Sequence, residues 1–242
     1  MSYQQLKEQV YEANMALVKA GLVVLTWGNA SGVDREADGG RGVMAIKPSG
    51  VPYDKLRPEH IVVLSLETGE IVDGSSRPSS DTPTHLHLCR SFPSIGGVVH
   101  THSTYGTSFA QAVRDIPCFG TTHADNFYGD IPCTRLMTNV EIEKDYELNT
   151  GRLIVECFNG RGIDAANVPG VVVAKHAPFA WGATPAKAVE NAIVLEFSAQ
   201  MALNTLAIDG DARPALQVLI DKHFLRKHGP AAYYGQGNVL HR

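Results

Sequence analysis

Apolar and polar positions along the chain follow both helical and strand periods, which predicts a mixed α/β protein. Leu6, Val10, Ala13 and Leu17 recur at the spacing of one helical face, so a first helix is expected to end at Gly21. Short apolar runs rich in β-branched residues and bounded by turn residues predict strands. They cover residues 22–25, a second short strand that follows the polar turn at 26–31 and ends at residue 33, and residues 42–46, 61–64, 71–72, 95–102 and 171–176.

Longer periodic segments predict further helices. Thr82 is a good N-cap with Pro83 at the first helical position, and Thr184 is the expected N-cap of a long helix that runs through Ala207. Other helices are expected over residues 103–113, 139–149 and from 214 to about 228. Residues 152–158 fit a strand by their β-branched content and a helix end by their position before Asn-Gly.

Length and composition exclude several classes of protein. The chain has 242 residues, 44% hydrophobic and 19% charged, and is expected to form a single domain over residues 1–242. A formal net charge of −4 argues against nucleic acid as a partner. The four cysteines show no Cys-x-x-Cys spacing, and the chain carries no signal-like or membrane-length apolar run. We therefore expect a cytoplasmic protein with free thiols and no membrane partner.

Histidines form the strongest candidate site. His100 and His102 end the apolar run 95–102, and on a strand both imidazoles would point to one face. Alone, such a pair is as often two hydrogen-bonded surface histidines as a metal chelate. His176 ends a second apolar run, and three histidine ligands with an open position are typical of a catalytic zinc site. The sequence therefore predicts a divalent metal centre.

A second pair, His85 and His87, has the same spacing but a different context. The pair lies on the helix that begins at Thr82. Residues two apart on a helix point about 200° away from each other and cannot chelate one ion. We interpret these histidines as helix surface and packing residues.

Small polar loops at one edge of the predicted sheet provide a candidate phosphate site. Backbone N–H groups at turns and helix starts, together with hydroxyls and a lysine, can hold an anion, although ordinary capping serines are the alternative for any single loop. The candidate residues are Gly28, Asn29, Lys47, Ser49, Gly50, Ser79 and Ser80.

Several stretches together resemble the class II aldolase family from about residue 6 to residue 236. They are 25–29 (LTWGN), 46–51 (IKPSGV), 78–85 (PSSDTPTH), 99–103 (VHTHS), 120–125 (GTTHAD), 162–166 (GIDAA), 178–182 (PFAWG), 225–229 (LRKHG) and 232–236 (AYYGQ). So many matches in order are specific. The chain departs from the family pattern in a slightly longer loop at 36–41 and an extension at 237–242.

The resemblance implies a fold and an assembly. The fold is a three-layer α/β/α sandwich around a mainly antiparallel central sheet, and the assembly is a homotetramer with active sites between adjacent subunits. It also implies one divalent metal per subunit, usually zinc, held by His100, His102 and His176 with Asp81 at or beside the ion. Further residues matching positions near the intersubunit site are Glu147, His223 and Arg226.

Within the family, the resemblance is to the sugar-phosphate epimerases. It implies interconversion of L-ribulose 5-phosphate and D-xylulose 5-phosphate at C4, by retro-aldol cleavage and re-addition, a reaction used in both arabinose and ascorbate breakdown. The resemblance assigns the two acid/base groups to Asp125 and to Tyr234, the latter from a neighbouring subunit. Without it, Asp125 reads as a turn residue and Tyr234 as a surface phenol.

Two other functions are compatible with this family. A class II aldolase of the fuculose-phosphate type would use the same three histidines, but such aldolases tend to carry glutamate where this chain has Asp81. A non-catalytic, adducin-like interaction module would be expected to lose the metal histidines and the acid/base pair, and this chain has kept them. Asp81 and the loop ending at Asp125 favour the epimerase.

Overall fold

One antiparallel sheet runs through the middle of the protein. The structure is a computed structural model that describes residues 1–234. In this part of the chain, seven strands lie in the order β4-β3-β2-β1-β5-β7-β6, and all paired neighbours are antiparallel. The strands are β1 (Asn29–Asp34), β2 (Val43–Ile46), β3 (Val62–Ser65), β4 (Ile71–Asp73), β5 (Gly97–His100), β6 (Gly170–Val172) and β7 (Pro178–Gly182).

Helices cover the sheet. They are α1 (Tyr3–Lys19), α2 (Ala37–Gly40), α3 (Thr82–Ser91), α4 (Thr104–Ala112), α5 (Thr121–Ala124), α6 (Asn139–Glu143), α7 (Tyr146–Arg161), α8 (Pro185–Ile208) and α9 (Gln217–His228), with 3₁₀ turns at Tyr53–Lys55 and Pro58–His60. Among the described residues, no helix is both long and apolar enough to span a bilayer.

The sheet is buried on both faces, as the alternation of side chains along β2 illustrates. Val43 belongs to an apolar cluster with Val10 of α1. Met44, the next residue, belongs to a separate cluster with Leu86 of α3 and Phe158 of α7. Successive strand residues point to opposite faces, so helices pack on both sides of the sheet. The predicted α/β/α sandwich with an antiparallel sheet is therefore confirmed.

Three predicted boundaries near the histidine region are wrong in detail. Asp81, not Thr82, occupies the N-cap position of α3, and the Thr82 hydroxyl donates to the backbone oxygen of Ser79 instead. Strand β5 ends at His100, so His102 lies beyond the strand. His176 lies in the turn between β6 and β7 rather than at a strand end.

Other local predictions also differ from the structure. Residues 22–24 have no regular secondary structure, and the chain turns at Leu25, which adopts a left-handed backbone with φ 55° and is exposed. Residues 152–158, for which the sequence left strand and helix open, are helical, within α7. The predicted helix over 139–149 is divided into α6 and the start of α7, because Asp145 has φ 52°. The extension at 237–242, like Gly235 and Gln236, lies outside the described residues.

Candidate active site

A polar cavity of about 340 Å³ opens where β1, β5 and the loops around them meet. Its wall contains every residue of the predicted metal and phosphate sites. The lining residues are Thr26, Trp27, Gly28, Asn29, Lys47, Pro48, Ser49, Gly50, Ser79, Ser80, Asp81, His100, His102 and His176. The antiparallel pairing of β1 with β5 sets Asn29 opposite His100, which joins the two halves of this wall.

The three predicted histidines form one cluster. One ring nitrogen from each of His100, His102 and His176 lies within 4.8 Å of the others. The Nδ1–H of His100 donates to the backbone oxygen of Pro178 at 3.0 Å, which leaves its Nε2 as a lone-pair donor facing Nε2 of His102 at 3.2 Å. Within the described chain, the buried Nδ1 of His176 has no hydrogen-bond partner. Three ring nitrogens facing one another suit a cation between them.

Burial keeps these imidazoles in the neutral form that binds metal ions. It lowers the pKa of His100, and it lowers the pKa of His176 to about 3, with the neighbouring His100 and His102 adding to the shift. Burial and the nearby His100 also lower the pKa of His102. Ligation requires unprotonated imidazole, so the cluster fits a divalent metal ion.

Asp81 lies beside the histidines as a carboxylate. Burial alone would raise the pKa of Asp81, but His100, His85 and a hydrogen bond from Asn29 outweigh burial and lower it. The Asn29 amide nitrogen donates to Asp81 Oδ2 at 2.6 Å and to Ser79 Oγ at 3.1 Å. Asn29 therefore connects the metal side of the cavity to its serine loops.

The opposite wall combines two loops that are paired through their backbones. The Ser49 N–H donates to the Arg77 carbonyl, and the Ser79 N–H donates to the Lys47 carbonyl.

Gly28 has φ 92°, and a Cβ atom there would lie 2.6 Å from the His100 carbonyl oxygen, so this close approach requires glycine.

Lys47 is buried in this wall rather than extended into the cavity. Its Nζ donates to the carbonyls of Val51 at 2.8 Å and Pro48 at 3.3 Å, and it lies 4.9 Å from the ring centroid of Tyr53. Burial lowers the pKa of Lys47. The lysine therefore fixes its own loop while adding positive charge behind the serines.

Asp125 and Tyr234 lie in a second cluster and do not line the cavity of the chain that carries them. Arg226 donates to Asp125 Oδ1 at 3.0 Å and Oδ2 at 3.1 Å, and His223 Nδ1 lies 3.0 Å from Oδ1. The guanidinium carbon of Arg226 is 4.2 Å from the ring centroid of Tyr234. Arg226 thus contacts both predicted acid/base residues. Glu147 is not part of this cluster, since it lies in the first turn of α7.

Three neighbours of the histidines were not among the predicted site residues. Tyr146 lies 5.9 Å from His176 between ring centroids, and Trp27, in the cavity wall, lies 6.5 Å from His102. The ring of Phe179 stacks on His100 at 4.2 Å. Trp27 and Phe179 belong to stretches already singled out for resemblance, but nothing in the sequence spacing indicates contact with the histidines.

Comparison with known proteins identifies the family. The model of the class II aldolase and adducin N-terminal domain matches residues 8–203. The chain belongs to the class II aldolase family. It is 51% identical over 233 residues to proteins named L-ribulose-5-phosphate 4-epimerase UlaF from Salmonella paratyphi C (strain RKS4594) and Salmonella typhi, covering 96% of this chain and 99% of each relative.

Solved structures with low sequence identity share the class II aldolase fold. An L-fuculose 1-phosphate aldolase superposes with a TM-score of 0.72 at 23% identity, covering 90% of this chain and 94% of that one. The L-fuculose 1-phosphate aldolase from Glaciozyma antarctica PI12 also gives 0.72, at 19% identity, covering 96% of this chain and 85% of that one. These similarities support the fold.

Proposed function

We propose that this protein is an L-ribulose-5-phosphate 4-epimerase, an isomerase that converts L-ribulose 5-phosphate to D-xylulose 5-phosphate. The observation that carries the proposal is one cavity that joins a three-histidine cluster to loops of hydroxyls and turn N–H groups. The 51% identity to proteins of that name over 96% of the chain supports this substrate.

The chemistry follows from the substrate. C4 bears a hydroxyl and no acidic hydrogen, so deprotonation of carbon cannot invert it. Loss of the proton from the C4 hydroxyl lets the C3–C4 bond break, and its electron pair moves into the C2 carbonyl to give the enediolate of dihydroxyacetone. The other product, glycolaldehyde phosphate, rotates within the site so that the opposite face of its carbonyl is presented to C3. Attack by C3 on its other face reforms the bond with C4 inverted.

We propose zinc as the resident ion, held by His100, His102 and His176. When bound, it supplies Lewis-acid stabilisation of the negative charge that develops on oxygen. Asp81, held by Asn29, adds a carboxylate that offsets part of the positive charge at the site. The imidazole of His100 is orientated for metal binding by the hydrogen bond to Pro178, which fixes its tautomer.

The serine loops anchor the phosphate while the aldehyde turns. On these two loops, the hydroxyls of Ser49, Ser79 and Ser80 and the N–H groups of Gly50 and Ser80 are proposed to bind its oxygens. Lys47 holds the first loop from behind through Val51, so the anion site is rigid. An anchored phosphate keeps the aldehyde in place for re-addition.

Proton transfer at the C4 oxygen is proposed for Asp125 and Tyr234. Neither side chain lines the cavity of its own chain, while both contact Arg226. We therefore propose a homotetramer in which the cluster of Asp125, His223, Arg226 and Tyr234 on one subunit completes the cavity of a neighbour.

Four cysteines without disulfides in the described chain support a reducing compartment such as the cytoplasm.

A second candidate function is aldol cleavage of a sugar 1-phosphate, as named for the L-fuculose 1-phosphate aldolases that share the fold. One experiment separates the two. Zinc-loaded and chelator-treated proteins are incubated with L-ribulose 5-phosphate, and both D-xylulose 5-phosphate and free aldehyde are measured. Metal-dependent interconversion without released aldehyde supports the epimerase. Aldehyde release, or inertness towards this pentose with cleavage of a sugar 1-phosphate, supports the aldolase instead.

A further inference from the structure

His85 has a buried place behind the candidate metal site. It lies on α3 one turn after Asp81, with its backbone N–H donating to the Asp81 carbonyl at 3.1 Å. The imidazole is 0% exposed, and its Nδ1 lies 2.8 Å from Ser31 Oγ on β1. His87, on the same helix, is only partly buried. The two histidines are two residues apart in the sequence, but they occupy different environments.

The hydrogen bond to Ser31 determines the tautomer of His85. Ser31 is fully buried, and its hydroxyl makes no other hydrogen bond in the described chain, so His85 Nδ1 is the acceptor available to its proton. With Nδ1 accepting the proton of Ser31, the ring is neutral and carries its one hydrogen on Nε2. That Nε2 is buried and, in residues 1–234, has no partner.

A complementary unpaired atom belongs to Asn29. Its Oδ1 is buried and likewise lacks a hydrogen-bond partner in the described chain, while its amide nitrogen holds Asp81. Asn29 and Ser31 are two residues apart on β1, so both side chains project from the same face of the sheet towards α3. A buried donor and a buried acceptor without partners are costly, and a direct hydrogen bond or one bridging water would satisfy both.

The ring of His85 also contacts the histidine cluster through an aromatic neighbour. Its centroid lies 6.2 Å from that of Phe179, with an interplanar angle of 68°. Phe179 stacks on His100 at 4.2 Å and 16°. His85 therefore supports the ring on which one of the three clustered histidines rests.

We propose that His85 is a positioning residue of the metal centre. Its Nε2–H, fixed by Ser31, orientates the Asn29 amide so that the NH₂ group of Asn29 faces Asp81, and its ring holds Phe179 against His100. This inference rests on the proposed function for its effect on turnover. Its effect on metal binding is independent of the substrate.

Three variants test the role of the nitrogen. His85→Phe keeps a ring against Phe179 but removes both nitrogens, whereas His85→Gln restores a donor near the position of Nε2. His87→Phe is the matched control on the same helix. Zinc affinity is measured by competition with a chromophoric chelator, and thermal unfolding is followed with and without zinc, since an ion that binds the folded state raises its stability.

We expect His85→Phe to bind zinc about 10- to 100-fold more weakly, with a smaller zinc-induced rise in Tm. With L-ribulose 5-phosphate, kcat should fall while KM stays unchanged. His85→Gln should recover most of the zinc affinity, and His87→Phe should match the wild type.

Wild-type zinc affinity in folded His85→Phe would overturn the proposal, and so would equal losses in His85→Phe and His85→Gln. If His85→Phe does not fold, Ser31→Ala decides the matter. It releases the tautomer while leaving the ring in place, and unchanged zinc affinity in that variant would refute the inference. A wild-type protein that binds zinc but does not epimerise would refute the proposed function and leave the His85 comparison intact.

Discussion

Arg226 forms a two-point ion pair with Asp125 through two nitrogens, with its Nη2 at 3.0 Å from Oδ1 and 3.1 Å from Oδ2 and its Nε at 3.3 Å from Oδ1. The residues are 101 positions apart in the chain and join α9 to the end of α5. The same guanidinium lies over the ring of Tyr234. The geometry of both proposed acid/base groups therefore depends on one arginine.

Replacing Asp125 tests its proposed role as an acid/base group. Asp125→Asn keeps the shape of the side chain but removes its capacity to take up a proton. We expect epimerisation to slow by about 10²- to 10⁴-fold, with zinc content unchanged because Asp125 does not line the histidine cavity. A coupled assay for D-xylulose 5-phosphate and elemental analysis measure the two quantities. Near-normal turnover would show that this carboxylate is not an acid/base group.

Arg226→Lys tests whether the arginine aligns that carboxylate. Lysine keeps the charge but loses the two-point geometry and the flat stacking on Tyr234. We expect kcat to fall while zinc affinity is retained. Arg213→Lys, at an exposed position, is the control and should match the wild type. Full activity in Arg226→Lys would mean that charge alone suffices and that the two-point contact has no catalytic consequence.

His102→Ala tests the histidine cluster. Removing one of three clustered donors should lower zinc affinity by several orders of magnitude and abolish turnover together with it. Elemental analysis after dialysis against a chelator gives the metal content. Zinc retained at one ion per chain in His102→Ala would exclude His102 as a ligand.

His123 predicts how stability depends on pH. Burial lowers the pKa of His123 to about 4, although a backbone hydrogen bond with Gly129 opposes part of the shift. The unfolded chain, with an ordinary histidine pKa of about 6.5, takes up a proton first as pH falls. Neutral His123 therefore contributes fully to the stability of the folded state above pH 6.5, and this contribution is lost as the pH falls towards 4.

The corresponding test compares wild type with His123→Gln in denaturant titrations of the metal-free protein. At pH 5, protonation in the unfolded state should cost the wild type roughly 2 kcal/mol relative to pH 7.5. His123→Gln lacks this titration, so its stability should fall less over the same range. Parallel pH profiles for the two proteins would contradict the prediction.

Gly28→Ala tests the close approach of two cavity walls. The added Cβ would meet the His100 carbonyl at 2.6 Å, and φ 92° is unfavourable for alanine. We expect a loss of about 1–3 kcal/mol in the free energy of unfolding, together with weaker zinc binding as His100 shifts. Gly160→Ala, where a Cβ meets nothing within 4 Å, is the control and should be at least as stable as the wild type, since it lies within α7 and alanine favours a helix.

Local patterns were enough to predict much of the fold and the histidine cluster. The run before His100 is continuously apolar, which is typical of a strand buried on both faces, and it forms β5. The predicted strand at residues 22–25 is wrong because Val24 and Leu25 are 58% and 73% exposed, although Leu22 is buried. An apolar run is buried only where another part of the protein covers it, and hydropathy does not show which part that is.

Relationships between distant residues could not be predicted from spacing. Asn29 holds Asp81 across 52 positions, and His85 reaches Ser31 across 54. Helical geometry places His85 and His87 on different sides of α3, but it could not indicate which of the two faces the sheet beneath the histidine cluster. That distinction depends on where α3 lies against β1, which only tertiary packing determines.

The separation of Asp125 and Tyr234 from the histidine cavity has an evolutionary consequence. The cavity is built on strand ends and their loops, whereas the cluster around Arg226 belongs to α5, α9 and the segment after α9. Neither α5 nor α9 contains a residue that lines the cavity. Under the proposed function, the acid/base groups could therefore diverge through substitutions in the second group while the cavity-lining donors are retained.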